Sequence, residues 1–342
     1  LSENAYAAYK KTLVTSALAS YSLADVLVKD PIIIPPHNRR RCNLKAARVQ
    51  DRIQLGYHAR KSHDIVDISV CPLVVPEIEM LIPALRSCLK GVLRNKQKVD
   101  LFIAMSDTGV DLIIDGLKSL AFEQTENLIA FGVKHDLARI SLQNIDSIEP
   151  LVTFRTPVIS YGGVSVECDA NGFMQASMVS DKILTKLVLD SVPQGVKRAV
   201  DLFCGRGTFT LPLSGITKVD AFELDLRALT TLEKAKNKNS KPVNTYIRNL
   251  FEDPLNPKEL ENYDFAVINP PRAGAFKQCL ALAESQTSAI AMVSCDPRTF
   301  ARDAKVLMEG GYKLDEVTPV DQFLWSNHIE VVGTFRRYIQ KV

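Results

Sequence analysis

From about residue 180 to the end of the chain, apolar runs and amphipathic stretches alternate. "RAVDLF" (198–203), "KVDAFEL", "VNTYIR", "DFAVIN" (264–269) and "AIAMVS" are short, continuous apolar runs that end at turn signals, which is the pattern of strands buried on both faces. Between them, "LRALTTLEKAKNK", "AFKQCLALAE" and "PRTFARDAKVLMEG" carry apolar residues at helical spacing, and "FTLPLS" opens a short helix. "KILTKLVLDSV" is a helix ahead of the first strand. The last two runs, "YKLDEVTPV" and "IEVVGTF", have no helix between them and predict an antiparallel closing pair. The pattern as a whole predicts a Rossmann-like, seven-stranded α/β sheet.

The first half has a different texture. Residues 3–28 show an apolar helical stripe, which "PIIIPPHN" (31–38) breaks because proline cannot sit in a helix interior. Beyond it, runs such as "VDLFIAMS" and "GVDLIIDG" alternate with turns, "SDTG" among them, and "PEIEMLIPALRSCLKGVL" reads as one amphipathic helix. This gives a smaller α+β segment. The expected organisation is a helical segment over 1–32 packing on the catalytic domain, a central α+β domain over 33–172, and an α/β domain over 173–342.

Composition narrows the class. With 46% hydrophobic residues and a net charge of +3, the 342 residues are neither disordered nor strongly polyionic. No apolar run approaches a membrane span and no secretory signal opens the chain. Seven scattered cysteines without a C-x-x-C pair predict reduced thiols in the cytoplasm rather than disulfides, and no zinc-ligand spacing is present. One cluster stands out: Arg39, Arg40, Arg41, Lys45, Arg48, Arg52, Arg60 and Lys61 lie close in sequence and would suit a phosphate backbone.

The candidate chemistry gathers at strand ends, where open parallel sheets place their ligands. In "DLFCGRGTF" (201–209), Gly205 and Gly207 allow a tight turn and a close backbone approach. Glu223, ending the next strand, can accept ribose hydroxyls. The absence of a third, phosphate-gripping glycine favours a nucleoside cofactor without pyrophosphate, and S-adenosylmethionine is such a cofactor. "VINPPRAGA" brings Asn269 to the same edge, and "MVSCDPRTFARD" brings Cys295 there, at a helix start expected to lower its pKa, with Arg298 and Arg302 adding to the effect. Asp296 would oppose it if its carboxylate faced the sulfur. A methyltransferase needs a thiolate when its target is a poor nucleophile, as carbon 5 of uracil is. Adding sulfur to carbon 6 activates carbon 5, and a base must later remove the carbon 5 proton. Glu330 in "HIEVV" is the candidate base. Two rivals stay open on these residues. One is an amino-group methyltransferase using Asn269-Pro270-Pro271; the other is a non-catalytic RNA-binding module.

The ordered motifs "DLFCGRGTFTLPL", "NPPRAGA", "SCDPRTFARD", "GGY", "DQF" and "HIE" resemble those of the RNA uracil-5 methyltransferase family. "RRRCNL", "SHDIVDISVCPLVVPEIEMLIPALR" and "GFMQAS" are similar to its 23S ribosomal RNA branch. The resemblance implies a class I methyltransferase sheet and a cytoplasmic, monomeric enzyme that acts on RNA, ribosomal ahead of transfer. It implies Cys295 as nucleophile and Glu330 as base, with His328 and Asp321 ordering the strand end that carries Glu330. Gln175, Phe203, Gly205, Thr208, Glu223, Asn249 and Asn269 would line the S-adenosylmethionine site. The chain departs from the family pattern in Asn269 for Asp, Asp296 for Asn, Thr208 for Asn, and in lacking proline after Phe323. Of the family's iron–sulfur ligands only Cys71 has a counterpart, so no cluster is expected, and an N-terminally trimmed chain is.

Overall fold

The computed structural model describes residues 2–117, 119–145 and 147–337. The chain divides into two compact units, one of residues 1–34, 160–166 and 179–342, the other of residues 35–159 and 167–178. The chain therefore crosses between units more often than a simple succession of domains would require. Residues 160–166, placed by the sequence in the central domain, fall in the first unit, and residues 173–178, placed in the catalytic domain, fall in the second.

The first unit is built on an eight-stranded sheet. Its order is Ile32–Ile33, Lys313–Asp321, Glu330–Arg336, Ala289–Ser294, Phe265–Ile268, Arg198–Leu202, Lys218–Glu223, Val243–Ile247. The five strands from Ala289–Ser294 to Val243–Ile247 run parallel, and Glu330–Arg336 runs antiparallel to both of its neighbours. This is the mixed sheet of class I methyltransferases. One strand more is present than the sequence suggested. Ile32–Ile33, read as part of a helix breaker, pairs in parallel with Val320–Asp321 and extends the edge. The prolines at 31, 35 and 36 confine it to two residues, because they remove ladder donors.

The sheet's interior strands are buried on both faces, as their unbroken apolar runs demand. On one side the core takes in Val14, Ala17 and Leu18 of helix Glu3–Ala19 together with Phe300, Ala301, Ala304 and Leu307 of helix Pro297–Glu309. The first helix is shorter than its apolar stripe suggested. It ends at Ala19, and Ser22 follows in a left-handed conformation with φ +62°.

The second unit has a seven-stranded sheet ordered Ile65–Asp67, Arg52–His58, Arg41–Val49, Lys98–Ser106, Gly109–Asp115, Arg139–Gln143, Ile148–Thr153. Only Gly109–Asp115 and Arg139–Gln143 are parallel, and helix Phe122–Lys134 supplies their crossover. Its core joins the apolar face of helix Pro76–Val92, including Ile78, Ile82, Leu85 and Leu89, to Leu44, Leu55, Leu101 and Leu112 of the sheet.

Candidate active site

Parallel order reverses between Arg198–Leu202 and Phe265–Ile268, and the carboxyl ends flanking such a switch point form a crevice. Register carries the chain into it. Leu202 pairs with Phe222 and with Ile268, which sets Phe203, Glu223 and Asn269 one step beyond, on one edge.

The turn after Leu202 is held tightly. Phe203, Gly205 and Gly207 all have positive φ, at +63°, +54° and +92°. A side chain at Gly207 would strike Leu232 Cδ1 at 2.6 Å, so that glycine serves packing. Gly205 faces open space, and no atom lies within 4 Å of where its Cβ would sit. Its N–H donates to Glu223 Oε2 at 2.9 Å. Oε1 of the same carboxylate accepts from Leu224 N–H at 2.7 Å and from Asp225 N–H at 2.9 Å. Three of the roughly four acceptor positions are thus taken by backbone, leaving Oε2 one position for a ribose hydroxyl. Asn249 Oδ1 accepts from Phe251 N–H at 3.2 Å, and the Phe251 ring lies 5.3 Å from that of Phe203. Asn269 is anchored by its N–H to Leu202 O at 3.2 Å, and Thr208 is half-buried in the turn.

Three further residues here escaped the sequence reading. Leu224 and Phe251 are exposed apolar side chains, the kind of surface a purine ring covers. Asp201 is fully buried at the end of its strand. Its Oδ2 accepts from Thr210 Oγ1 at 2.6 Å, and burial pushes its pKa up to about 7. Its Oδ1 has no partner among the described residues. An acid closing the first apolar run was the available signal. The open side of Gly205, the Glu223 carboxylate and these apolar walls fit S-adenosylmethionine. Gln175 lies in the second unit, buried, where Arg40 Nε donates to its carbonyl at 2.9 Å.

The thiol and the carboxylate meet through antiparallel register. Ser294 pairs with Val331, so the next step out sets Cys295 opposite Glu330. Cys295 is partly exposed in a cleft of about 720 Å³ lined also by Arg272, Arg298, Asn327, His328 and the Thr12–Ser16 face of the first helix. Glu330 lies buried beside it, only 4% exposed, and Gln322 Nε2 donates to its Oε1 at 2.9 Å. Burial pushes the Glu330 carboxyl up to about 7.

The expected depression of the thiol pKa is not what the structure shows. Burial first, then the Glu330 charge, push Cys295 up to about 11, and only Arg272 among nearby side chains pulls it down. The reasons are geometric. Arg302 is spent on Asp303 and on the Ala273 carbonyl, and Asp296, which caps its helix by accepting from Arg298 N–H at 2.9 Å, still adds a negative charge that pushes the thiol up. His328 Nδ1 is 3.4 Å from Arg272 Nη2.

Asp321 is fully buried and does not touch Glu330's carboxylate. It accepts from Lys10 Nζ at 2.9 Å and from Tyr6 Oη at 2.7 Å. Lys10, also 0% exposed, donates to the carbonyls of Ser326 and His328, each at 2.8 Å. The first helix thereby grips the whole loop that leads into Glu330.

The basic cluster of the second unit is not one free patch. Arg40 is buried, Lys45 pairs with Asp100, and Arg48 donates to the carbonyls of Lys90 and Leu93 at 2.8 Å each. Arg52, Arg60 and Lys61 are exposed. Cys71 is buried, its sulfur 3.6 Å from Tyr57 Oη, and all seven cysteines are free thiols. Among the described residues no group of three or more His, Cys, Asp or Glu is placed to hold a metal ion, and no helix is long and apolar enough to cross a membrane.

The family model described as "tRNA (Uracil-5-)-methyltransferase" matches residues 163–337, the stretch that carries this site. The chain belongs to that family. An uncharacterized RNA methyltransferase of Agrobacterium fabrum is 39% identical over 98% of the chain and 80% of its own length. A 23S rRNA (uracil(1939)-C(5))-methyltransferase of Shewanella piezotolerans is 28% identical, covering 88% of the chain and 69% of its own length. The crystal structure of Pyrococcus abyssi tRNA (uracil-54, C5)-methyltransferase in complex with S-adenosyl-L-homocysteine superposes with a TM-score of 0.74 at 19% identity, covering 98% of this chain and 84% of that one. The uracil-5 methyltransferase family membership makes this chain an S-adenosylmethionine-dependent RNA (uracil-C5-)-methyltransferase and sets aside the amino-group and non-catalytic readings.

Proposed function

We propose that the chain methylates carbon 5 of a uridine in RNA through a transient bond from Cys295 to carbon 6, with 23S ribosomal RNA the target class. The observation that carries this reading is the register placing Cys295 opposite Glu330, beside an open cleft, on the edge that also holds Gly205, Glu223 and Asn269. The sulfur gives up its proton to water and attacks carbon 6, and the ring's electron pair moves onto carbon 5 and the carbon 4 carbonyl. S-adenosylmethionine, when bound, would supply the electrophilic methyl to carbon 5, the sulfonium–methyl bond breaking to leave S-adenosylhomocysteine. Glu330 then removes the carbon 5 proton, the carbon–sulfur bond breaks, and the thiolate leaves. Arg272 offsets the charge that forms on the sulfur. Leu224 and Phe251 flank the adenine, with Phe203, Thr208, Asn249 and Asn269 completing that pocket. For the ribosomal target, support comes from the "RRRCNL" and "GFMQAS" stretches and from the 23S-specific relative, whose match covers both units.

The test is incubation with ribosomal and transfer RNA fragments containing 5-fluorouridine, whose fluorine Glu330 cannot remove as a proton. Wild-type protein plus cofactor is expected to give a gel-shifted covalent complex with the ribosomal pool. Cys295→Ala should give none while still binding S-adenosylhomocysteine, and Glu330→Gln should trap an adduct on ordinary uridine RNA. Methylation by Cys295→Ala at the wild-type rate would end the covalent reading.

A further inference from the structure

The loop over residues 322–329 contains the chain's single tryptophan, and its backbone is left-handed, with φ +59°. That conformation is unfavourable for a bulky side chain and persists only where the surroundings dictate it. Here they do. Trp325 N–H donates to Tyr6 Oη at 2.8 Å, and Tyr6 is itself fixed on Asp321. Lys10 clamps the carbonyls on either side of Asn327, and Tyr9 Oη donates to Asn327 Oδ1 at 2.7 Å. Yet the side chain on this fixed backbone adds little to the core, since Trp325 is 62% exposed. Two and three residues further on, Asn327 and His328 line the Cys295 cleft, together with the exposed guanidinium groups of Arg272 and Arg298.

We propose that Trp325 is a stacking platform for an RNA base neighbouring the target uridine, at a subsite whose cationic side is formed by Arg272 and Arg298. The inference rests on the uracil-methylation reading, because it takes the Cys295 cleft as the uridine's. Drawing a uridine out of its stack leaves its neighbours without a partner face. An exposed indole replaces that face for any base, while two exposed cations hold the adjoining phosphates. Strain at the backbone, a network that fixes it, and an aromatic left in solvent two residues before the cleft lining begins are together explained by a ligand with a flat ring.

A lone tryptophan makes the test direct. Indole emission is followed while the full chain is titrated with the fluorouridine-containing 23S and transfer RNA fragments. Binding is expected to quench or shift the emission, and S-adenosylhomocysteine alone to leave it unchanged. Trp325→Ala should weaken RNA binding by about tenfold, the loss of one base stack, and Trp325→Phe should restore most of it. Trp325→Gly relieves the positive φ, so its thermal midpoint should stay level or rise while its RNA affinity falls as in the alanine variant. A merely structural residue would lose stability and affinity together. Wild-type RNA affinity in Trp325→Ala, or RNA binding with no change in emission, overturns the stack. Adduct formation is scored separately in the same samples. A wild-type adduct alongside unchanged affinity in Trp325→Ala removes this inference alone. Absence of adduct from both pools removes the covalent reading, while quenching and the tenfold loss would still support the stack.

Discussion

Glu330 sits where burial makes its negative charge costly, and its pKa of about 7 has two consequences that pull in opposite directions. In its proposed role as base it works only when ionised, so resolution of the proposed methylated adduct should speed up as pH rises through 7. At pH 6, quenched reactions on uridine RNA should hold more protein-bound RNA than at pH 8, as read on a denaturing gel. As a structural group it stabilises only when neutral. The carboxyl ionises near 4.5 in the unfolded chain and near 7 in the folded one, so stability is full below 4.5 and is lost as pH rises through 7. Glu330→Gln should therefore be more stable than wild type at pH 8, by up to about 3 kcal/mol, with the gain vanishing at pH 4. Equal denaturation midpoints at pH 8 would contradict the buried charge. The two glycines of the cofactor turn divide in a similar way. Gly207→Ala meets Leu232 Cδ1 at 2.6 Å in a left-handed backbone, and a loss of about 2 kcal/mol or more is expected by urea unfolding. Gly205→Ala has free space around it, so its stability loss should stay near 1 kcal/mol, while S-adenosylhomocysteine binding, measured by calorimetry, should weaken at least tenfold (about 1.4 kcal/mol) because the methyl fills the cradle.

The helix Glu3–Ala19 does more than cover apolar surface. Lys10 satisfies Asp321 and two loop carbonyls from inside the protein, and burial pulls its own pKa below the usual lysine range against the pull of Asp321. Lys10→Met removes one partner and leaves a carboxylate buried without its cation. Such a change costs about 3 kcal/mol or more, and here it also loosens the loop that aims His328 and Glu330. Turnover on RNA should fall further than S-adenosylhomocysteine affinity, because Gly205 and Glu223 lie on other elements. An equal loss of both would make Lys10 a general stabiliser only. The helix also illustrates what a sequence conceals. Its apolar stripe was visible, but a lysine among alanines looks solvated, and nothing local marks it as the partner of an aspartate more than 300 positions away. Strand ends fared differently. Gly205, Glu223, Asn269 and Cys295 could be assigned to one edge because each lies at or just beyond the end of an apolar run, and parallel runs share an edge. The sign of the thiol shift could not, because it depends on where Arg302 and Asp296 turn their charges, and that is set by tertiary partners.

Across the whole molecule, charge is distributed so that a net +3 understates what RNA would meet. Of eight clustered cations in residues 39–61, the alternation of strand Arg41–Val49 and its flanks turns some toward carbonyls and acids, leaving Arg52, Arg60 and Lys61 exposed at the surface of the second unit. Arg272 and Arg298 are exposed beside the thiol in the first. The two groups are expected to act on different parameters. Phosphate contacts release counterions, and on single strands each contributes about 0.7 to the slope of log affinity against log salt. Converting Arg52, Arg60 and Lys61 to serine should flatten that slope by about 2 and weaken binding alike for every RNA sequence, with the maximal rate of adduct formation kept at saturating RNA. Arg272→Ser should flatten the slope by less than 1 and lower the maximal rate itself, because that guanidinium draws the Cys295 pKa down. Filter binding across a salt series, paired with adduct kinetics at saturation, separates the two. If the triple variant keeps the wild-type slope, the second unit contributes no phosphate contact through these side chains, and the affinity for RNA must be sought around the cleft alone.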